Sequence, residues 1–544
     1  MVSPSASARA LHLPAATATV VARTDLARPR GTLQRLVGVV GARAVALLIT
    51  VLAASPAAAL TMLNGAALTR QPYIQNVGQT SVTILWRTST PVAMRVEYGE
   101  DFRYDAAVTE PQASTRHEVT LTGLKAGTTY HYRLVEADVV ASGPQYSFRT
   151  DPGRGSTSFS FFATADVGEN ETASAYQQYT QAAIRRVTPR PDFGLLAGDI
   201  VYPDGNSNDY DRNLMRPWAQ LLCNTAVWPA LGNHDWQSNP DTNFEVEWAL
   251  PNNEHYYSFD YGNAHFIALD TRDGSLYNRT GQLVWLQQDL AANSGATWTF
   301  VFYHHPLITC TYKGNEPDMA ADLMPLFERY GVDLVFTGHA HTYERLYPIR
   351  AGMPIDQDQD PNYVDPRGVL YVVSGCGGKF KLDAPTTYCG PTAYFLDGRI
   401  LFTQVLVRDR RLFLLTFDSL SGGIVDFMSV TQSPGMRFRG GIPHVAAANL
   451  DTPRSRLLRN MPNPFNPSTV IPFAIAAAGP VFLDVYGADG RWIANLASGF
   501  RSAGTHQVAW NGLDHAGQPV PSGIYVARLR TSEAAENIKM TLVR

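Results

Sequence analysis

The residues best suited to chemistry stand directly after five short apolar runs in the middle of the chain. The runs are rich in aliphatic and aromatic residues, which is typical of buried β-strands. In open α/β sheets ligands bind at the carboxyl ends of the strands, so we predict that the residues following the runs converge at one edge of a sheet. They are Asp166, Asp199, Asn233-His234-Asp235, His304-His305 and His339-Ala-His341.

Their donor atoms point to a metal centre. Oxygen and nitrogen donors without a thiolate suit borderline divalent metals and ferric iron rather than a soft copper site. One carboxylate can bridge two ions, and two metals about 3.5–4 Å apart can clamp a phosphoryl group and activate a nucleophile. His339 and His341 are two apart, so on an extended strand they would share a face and reach one centre.

A single Asp or His after a strand is usually a turn residue or a satisfied polar side chain. Five such endings in order are harder to explain in that way. Glycine precedes three of them, at Gly198, Gly232 and Gly338. The pattern therefore favours one shared site.

The elements that must position these residues lie within 157–432. Apolar runs there alternate with helix-like segments at 175–187 and 280–292, which predicts an α/β domain with a largely buried sheet. Three closely spaced runs near its end predict an antiparallel portion of sheet; they are 401–407, 412–417 and 424–430.

Both flanks of this domain have the pattern of β-sandwiches. Residues 69–150 contain alternating segments about every ten residues, and 124–130 resembles a turn of fibronectin type III modules. Residues 433–460 are rich in Pro, Gly and Arg and predict a linker. Residues 461–544, entered through PNPFNPST, resemble the Ig-like C-terminal domains of exported bacterial proteins, including sorting signals. Such a domain implies secretion or surface-sorting machinery as a partner.

The first 59 residues have the features of a secretory signal peptide. Arg30, Arg35 and Arg43 precede an apolar run at 44–54, and small residues follow it. The run is too short to span a bilayer, which takes roughly twenty residues. We therefore expect a secreted or cell-surface bacterial protein without a transmembrane segment in its mature chain.

Composition excludes some classes of function. With 44 Lys+Arg against 48 Asp+Glu the net charge is −4, which argues against nucleic-acid binding. The hydrophobic fraction of 45% is that of a globular protein.

The five endings resemble the five motif blocks of calcineurin-like metallophosphoesterases. The blocks stand here as Asp166-Val-Gly168, Gly198-Asp199, Gly232-Asn-His-Asp235, Val301-Phe-Tyr-His304 and Gly338-His-Ala-His341. Tyr202, three residues after Asp199, is the mark of purple acid phosphatases. Thr342-Tyr-Glu-Arg345 and the fibronectin-like domain at 69–150 resemble the plant-type branch.

The resemblance implies a binuclear centre that hydrolyses phosphate monoesters by attack of a metal-bound hydroxide. Fe(III) would be held by Asp166, Tyr202 and His341, and Zn(II), Mn(II) or Fe(II) by Asn233, His304 and His339, with Asp199 bridging. Asn233 and His234 would contact the substrate, and His234 would be catalytic. Small phosphorylated molecules would be the substrates of this acid phosphatase.

Two departures stand out. Ala165 replaces the usual glycine before Asp166, and the loop 306–316 lacks the histidines of plant-type enzymes. His305 lies next to His304, and strand alternation predicts that it points away from it. Tyr312 and Lys313 are candidates to replace the missing histidines, but ordinary loop residues are an equally good interpretation.

Two alternatives to the monoesterase remain. The same centre could serve a phosphodiesterase or nucleotide hydrolase. Alternatively, the chain could be a surface binding protein with an inactive enzyme-like core.

The four cysteines allow three pairings. In an exported protein they are expected to be paired. Proximity in sequence suggests Cys376 with Cys389, which leaves Cys223 with Cys310.

Overall fold

The computed structural model describes most of the chain from residue 62 onwards. The described residues are 62–63, 66–141, 146–168, 176–237, 240–386, 389–434, 455–458, 460–475, 479–488, 490–501, 504–531 and 535–544. The predicted signal peptide lies outside them. Among the helices described, none is both long and apolar enough to cross a bilayer.

The first domain is a β-sandwich, as predicted. Its sheets have the strand orders β1-β2-β3-β6 and β5-β4-β7-β8, with β9 beside β7. Apolar side chains alternate towards the interior, where Trp86, Leu121 and Tyr132 are buried. The strands are β1 (Met62–Leu63), β2 (Ala66–Gln75), β3 (Ser81–Val92), β4 (Arg95–Gly99), β5 (Ala106–Thr109), β6 (Ser114–Thr122), β7 (Thr129–Glu136), β8 (Val139–Val140) and β9 (Tyr146–Arg149).

The second domain is an α/β structure with two seven-stranded sheets. Its strands are β10 (Ser158–Thr164), β11 (Phe193–Ala197), β12 (Ala226–Ala230), β13 (Tyr257–Tyr261), β14 (Ala264–Ala268), β15 (Trp298–Phe302), β16 (Leu334–Thr337), β17 (Tyr343–Leu346), β18 (Ile349–Arg350), β19 (Met353–Pro354), β20 (Asn362–Val364), β21 (Leu370–Ser374), β22 (Thr392–Leu396), β23 (Leu401–Arg408), β24 (Arg411–Asp418) and β25 (Ile424–Thr431). Its described α-helices are α1 (Tyr176–Ile184), α2 (Ser207–Tyr210), α3 (Arg216–Leu222), α4 (Pro240–Glu247), α5 (Arg279–Ala292) and α6 (Pro317–Tyr330).

The two sheets pack face to face. Their strand orders are β12-β11-β10-β23-β24-β25-β20 and β13-β14-β15-β16-β21-β17-β22. Phe161 of the first sheet contacts Phe266 and Phe300 of the second, with ring centroids 5.2 and 5.1 Å apart. Leu286 of α5 and Phe327 of α6 lie in the core on the outer face of the second sheet. This core explains why the runs are apolar throughout: both faces of each central strand are covered.

Strand direction brings the motif residues to one edge. Strands β10, β11 and β12 are parallel neighbours, and so are β14, β15, β16 and β21. The predicted antiparallel portion is formed by β23, β24 and β25, joined to β10. The candidate residues therefore come from two sheets, and they meet where the carboxyl ends of the two parallel sets lie together.

The last domain is a second β-sandwich. Its sheets have the orders β26-β27-β30 and β29-β28-β31-β32 around a core with Trp510 and Phe473. The strands are β26 (Arg456–Leu457), β27 (Thr469–Ile475), β28 (Gly479–Gly487), β29 (Trp492–Arg501), β30 (Gly504–Trp510), β31 (Gly523–Arg530) and β32 (Ala535–Leu542).

The predicted disulfides are wrong. Cys310 is bonded to Cys389 with 4.9 Å between the Cα atoms, and Cys223 and Cys376 are buried free thiols. Proximity in sequence misled the prediction because Cys376 lies in the core behind the site. Cys310 and Cys389 instead lie on two loops that meet, where the backbone N–H of Thr386 donates to the Cys310 carbonyl.

Candidate metal centre

Three of the residues that follow strands have a left-handed backbone conformation, which directs their side chains into the site. Asp166, Asp199 and His339 have φ values of 55°, 51° and 66°. Non-glycine residues seldom adopt this conformation, and it is enriched at functional sites. His339 is therefore not on an extended strand, and the expectation that it shares a face with His341 is wrong. The two histidines reach different parts of the site.

The first group of ligand candidates consists of Asp166, Tyr202 and His341, all buried. The Tyr202 hydroxyl donates to Asp166 Oδ1 at 2.8 Å and lies 3.4 Å from His341 Nε2. His341 Nε2 is also 3.4 Å from Asp166 Oδ1. These three donor atoms therefore point at one small volume.

The second group consists of Asn233, His304 and His339. His339 Nδ1 lies 3.0 Å from Asn233 Oδ1, and the His304 and His339 rings are 5.2 Å apart. The Nδ1 atom of His304 donates to the Ala197 carbonyl at 2.9 Å. Its Nε2 is buried and has no hydrogen-bond partner among the described residues. A buried nitrogen of this kind is satisfied when a metal ion takes its lone pair.

Asp199 lies between the two groups. Its Oδ2 accepts from the Tyr202 hydroxyl at 2.9 Å, and its Oδ1 is 3.3 Å from His304 Nε2. Ligand atoms of Asp166, Asp199 and His304 lie within 4.8 Å of one another. The residues present therefore fit a pair of ions that share the Asp199 carboxylate.

The ionisation of the site reflects its burial. Burial opposes the negative charge of Asp199, but the charges of His304 and His234 bring its pKa below the usual range. Burial disfavours the charged form of His304 as well, yet Asp199 raises its pKa to about 9. For Tyr202, burial and then the charges of Asp166 and Asp199 raise the pKa well above normal. Without a cation the phenol stays protonated and bridges the two carboxylates.

His234 faces the site from its rim. Its ring is 4.4 Å from the Tyr202 ring, and its Nε2 is 3.9 Å from Asp199 Oδ2. Nδ1 forms a hydrogen bond with the Pro203 carbonyl, which fixes the ring orientation. The side chain is 33% exposed, so a substrate can reach Nε2.

Close packing explains why glycine precedes the motif residues. A Cβ at Gly198 would lie 2.5 Å from His304 Nδ1, and one at Gly232 would lie 2.2 Å from the Asp199 backbone nitrogen. Gly375, Gly377 and Gly378 of the later glycine-rich loop pack in the same way against the backbone around Ala340, Ala165 and Val167. That loop supports the site from behind.

Two carboxylates beside the site have roles that the sequence did not indicate. Asp235 accepts from the backbone N–H groups of Ile200, Val201 and Gly232 and so ties two motif loops together. Burial and then the charge of Asp199 raise its pKa to about 7. Asp383 accepts from the His341 backbone N–H at 2.9 Å. Asp235 could have been found as part of its motif block, whereas no local pattern marks Asp383.

His305 also departs from expectation. Its ring lies 4.4 Å from the ring of His339, so it does not point away from the second group. Strand alternation failed because β15 ends at Phe302, before the two histidines. Burial and then the charge of His304 lower the pKa of His305 to about 3, which keeps it neutral.

Comparison with known families agrees with this geometry. Residues 69–150 match the purple acid phosphatase N-terminal domain, residues 159–343 the calcineurin-like phosphoesterase and residues 467–534 the FlgD Ig-like domain. Purple acid phosphatase 21 of Arabidopsis thaliana is 27% identical over 57% of this chain and 71% of its own. Acid phosphatase type 7 of Mus musculus is 25% identical over 56% of this chain and 76% of its own.

A solved structure shares the fold. The purple acid phosphatase from yellow lupin (Lupinus luteus) seeds superposes with a TM-score of 0.58 and 20% identity, over 66% of this chain and 74% of the other. The chain thus carries a purple acid phosphatase N-terminal domain, a calcineurin-like phosphoesterase domain and a FlgD Ig-like domain, and it is a purple acid phosphatase-like, metal-dependent phosphoester hydrolase.

Proposed function

We propose that the protein is an exported binuclear-metal acid phosphatase that hydrolyses phosphate monoesters. The observation that carries the proposal is the position of Asp199 between two groups of ligand candidates. The ligands of one ion would be Asp166, Tyr202 and His341, and those of the other Asn233, His304 and His339. We propose Fe(III) beside Tyr202, since an anionic hard oxygen stabilises the ferric state, and Zn(II), Mn(II) or Fe(II) at the other position.

The ions would supply Lewis acidity at the phosphoryl oxygens and a water of lowered pKa. The chain itself orients the substrate. His234, held by the Pro203 carbonyl, presents Nε2 to the rim, where it can bind a phosphate oxygen or protonate the leaving group. Asn233 is kept in place by His339. Asp235 holds the loops that carry Asp199 and Asn233 in fixed positions relative to each other.

Export is supported by the Cys310–Cys389 disulfide and by the FlgD Ig-like domain. We also propose the domain division 69–150, 157–432 and 461–544, with 433–460 as a linker. The secreted protein should begin near residue 60, which N-terminal sequencing would test. An intact N-terminus on the secreted form would contradict the assignment of a cleaved leader.

The decisive experiment combines metal analysis with a substrate panel on Asp199→Ala. We expect about two metal ions per chain in the native protein. Activity towards 4-nitrophenyl phosphate should fall by more than about 100-fold in the variant, since even outer-shell partners of metal ligands cost 10–100-fold. Asp358→Ala, an exposed carboxylate of the same domain, is the matched control. Full activity of Asp199→Ala would refute the site, and a faster rate on bis(4-nitrophenyl) phosphate would favour a diesterase.

A further inference from the structure

His304 and His341 both turn Nε2 towards the ligand groups, but they differ in what lies at Nδ1. His304 Nδ1 donates to the Ala197 carbonyl, a neutral acceptor, at 2.9 Å. His341 Nδ1 instead lies 3.5 Å from Asp383 Oδ2, a carboxylate oxygen. A histidine that binds a metal nearly always donates its other N–H to a nearby acceptor, which fixes the ring and raises its basicity. The two halves of the centre therefore differ in the charge behind a ligand histidine.

The position of His341 decides which of its nitrogens carries the ring proton. Nε2 lies 3.4 Å from both Asp166 Oδ1 and the Tyr202 hydroxyl, within the first ligand group. If Nε2 is to bind an ion its lone pair must be free, so the proton has to be on Nδ1. Nδ1 is buried and has no hydrogen-bond partner within the described part of the chain. A buried N–H without an acceptor is costly, and the carboxylate of Asp383 is the acceptor at hand.

Asp383 also lacks a partner for part of its carboxylate. The residue is fully buried, and its Oδ2 accepts from the His341 backbone N–H at 2.9 Å. Oδ1 has no hydrogen-bond partner among the described residues, and the nearby charge of Lys381 Nζ is 3.9 Å away. Buried carboxylates are normally satisfied by several donors. A proton donated by His341 Nδ1 would therefore supply a bond that both side chains lack.

The backbone on both sides of Asp383 is fixed. Before it, the Lys379 N–H donates to the Asp166 carbonyl at 2.8 Å. After it, the Thr386 N–H donates to the Cys310 carbonyl at 2.6 Å. The carboxylate is thus held against the histidine by a segment that is anchored to the site at one end and to a neighbouring loop at the other.

A charged acceptor at Nδ1 changes what the histidine can do at Nε2. A separation of 3.5 Å is longer than a good hydrogen bond, but such bonds at active sites often tighten when the site is loaded. A carboxylate that attracts the Nδ1 proton leaves more electron density on the ring, so Nε2 becomes a stronger donor. A stronger donor favours the more highly charged ion, and hydrogen bonds behind a ligand are one of the ways in which proteins tune the potential of iron.

We propose that Asp383 is a positioning residue that accepts the Nδ1 proton of His341 and, through this histidine, sets the preference of the first ion position for Fe(III) over Fe(II). The inference rests on the proposed function, because it assumes an ion at Asp166, Tyr202 and His341. Hydrolysis itself involves no electron transfer. The preference decides only which oxidation state the bound iron keeps.

Asp383→Asn tests the charge with little change in shape, because the amide oxygen can still accept from the His341 backbone. On the iron-loaded full chain we expect the ratio of Fe(III) to Fe(II) affinity to fall by about tenfold or more, which corresponds to a rise of about 59 mV in the one-electron midpoint potential. The visible band of the Tyr202 phenolate should move to longer wavelength, because the ion becomes more electron-poor. Asp358→Asn, at an exposed carboxylate of the same domain, should change neither quantity. A lower thermal midpoint in Asp383→Asn with a native potential and a native band would show a merely structural contact and overturn the inference.

Zinc binding supplies a second arm that does not need iron. The metal-free full chain would be titrated with Zn(II) against a chelator of known affinity. Asp383→Asn should weaken one of the two zinc positions by about tenfold and leave the other unchanged, and Asp383→Ala should weaken the same position at least as much.

The outcomes separate this inference from the proposed function. If the native protein binds two ions and hydrolyses 4-nitrophenyl phosphate, but the Asp383 variants keep native zinc affinities and a native iron potential, the inference fails while the proposed function stands. If zinc binding depends on Asp383 as expected but no phosphate ester is hydrolysed, the proposed function fails while the positioning role stands. A native protein that binds no metal ion would overturn both.

Discussion

At the scale of single residues, Tyr202 shows how the site is held together without a cation. Its hydroxyl lies within hydrogen-bond distance of both Asp166 and Asp199 and shares its one proton between them, so the two buried carboxylates do not face each other unpaired. An unsatisfied buried charge is costly. The same oxygen lies next to His341, in the first ligand group. If the proposed ligand set is right, one side chain would thus serve both the metal-free and the metal-loaded forms.

Replacing Tyr202 by Phe tests the proposed ferric position. The iron-loaded native protein should show a visible absorption band from the phenolate, and Tyr202→Phe should lose it. Iron content should fall as well because one ligand is missing. Tyr312→Phe is the control, because it also removes one tyrosine but from the loop after β15. The absorption spectrum of this variant should match that of the native protein. A colourless native protein with full activity would contradict the Fe(III) proposal.

At the scale of elements, loops and helices are secured by contacts between separate elements of the fold. The disulfide links residues 79 apart and fixes the loop after β15 to the segment before β22. Elsewhere His265 on β14 contacts Asp260 Oδ1 on β13 at 2.8 Å and Asp289 Oδ2 on α5 at 2.7 Å. Both contacts hold a surface element to the second sheet, which is one of the two sheets that carry ligand candidates.

The disulfide makes a simple prediction about thiols. Denatured native protein should show two reactive thiols, from Cys223 and Cys376, and four after reduction. Cys389→Ser should lower the free energy of unfolding by about 2–4 kcal/mol, because the unfolded chain is no longer constrained by the cross-link. The denatured variant should show three thiols, because Cys310 is no longer bonded. Four thiols before reduction, or a peptide map joining Cys376 to Cys389, would contradict the assigned pair.

The His265 contacts make a prediction about pH. Burial lowers the pKa of His265, but the hydrogen bonds to Asp260 and Asp289 outweigh it and the pKa is raised. A raised histidine pKa adds stability that is complete below about 6.5, the unfolded value, and is lost as the pH rises through the folded value. His265→Gln should therefore lower the thermal midpoint more at pH 6 than at pH 9. His515→Gln, at a histidine of the last domain, is the control. An equal drop in the thermal midpoint of His265→Gln at both pH values would contradict the pairing of His265 with Asp260 and Asp289.

At the scale of the whole molecule, the first sandwich and the catalytic domain share a buried ionic interface. Glu247, at the end of α4, pairs with Arg70 and lies 2.6 Å from Arg87 Nη2. Arg70 also contacts Asp211 at 2.6 Å. The Tyr132 hydroxyl donates to the Cys223 carbonyl at 2.8 Å, which adds a second fastening point. The sandwich is therefore built into the enzyme and not merely tethered to it.

Replacing Glu247 should show how much the buried ion pairs of this interface contribute to stability compared with an exposed ion pair. Arg70 is only 2% exposed, so Glu247→Ala leaves a buried guanidinium with one partner fewer. We expect a loss of about 3–5 kcal/mol in the free energy of unfolding by urea. Asp138→Ala breaks an ion pair whose acid is 91% exposed and should change stability by less than about 1 kcal/mol. Equal losses in the two variants would show that the interface charges are not effectively buried.

The sequence by itself predicted the candidate donor residues and determined the class of fold. Strand ends, glycines and motif spacing are local features of the sequence. The apolar composition of each run is enough to predict that the run is buried. Tertiary structure alone decided that the ligand candidates come from two facing sheets, that His305 lies against His339, that Cys310 pairs with Cys389, and that Asp383 and Lys379 stand beside the centre. These contacts join loops separated by tens of residues. Strand pairing within the second sheet brings these loops within reach of one another, and the packing of the two sheets adds the residues of the first sheet.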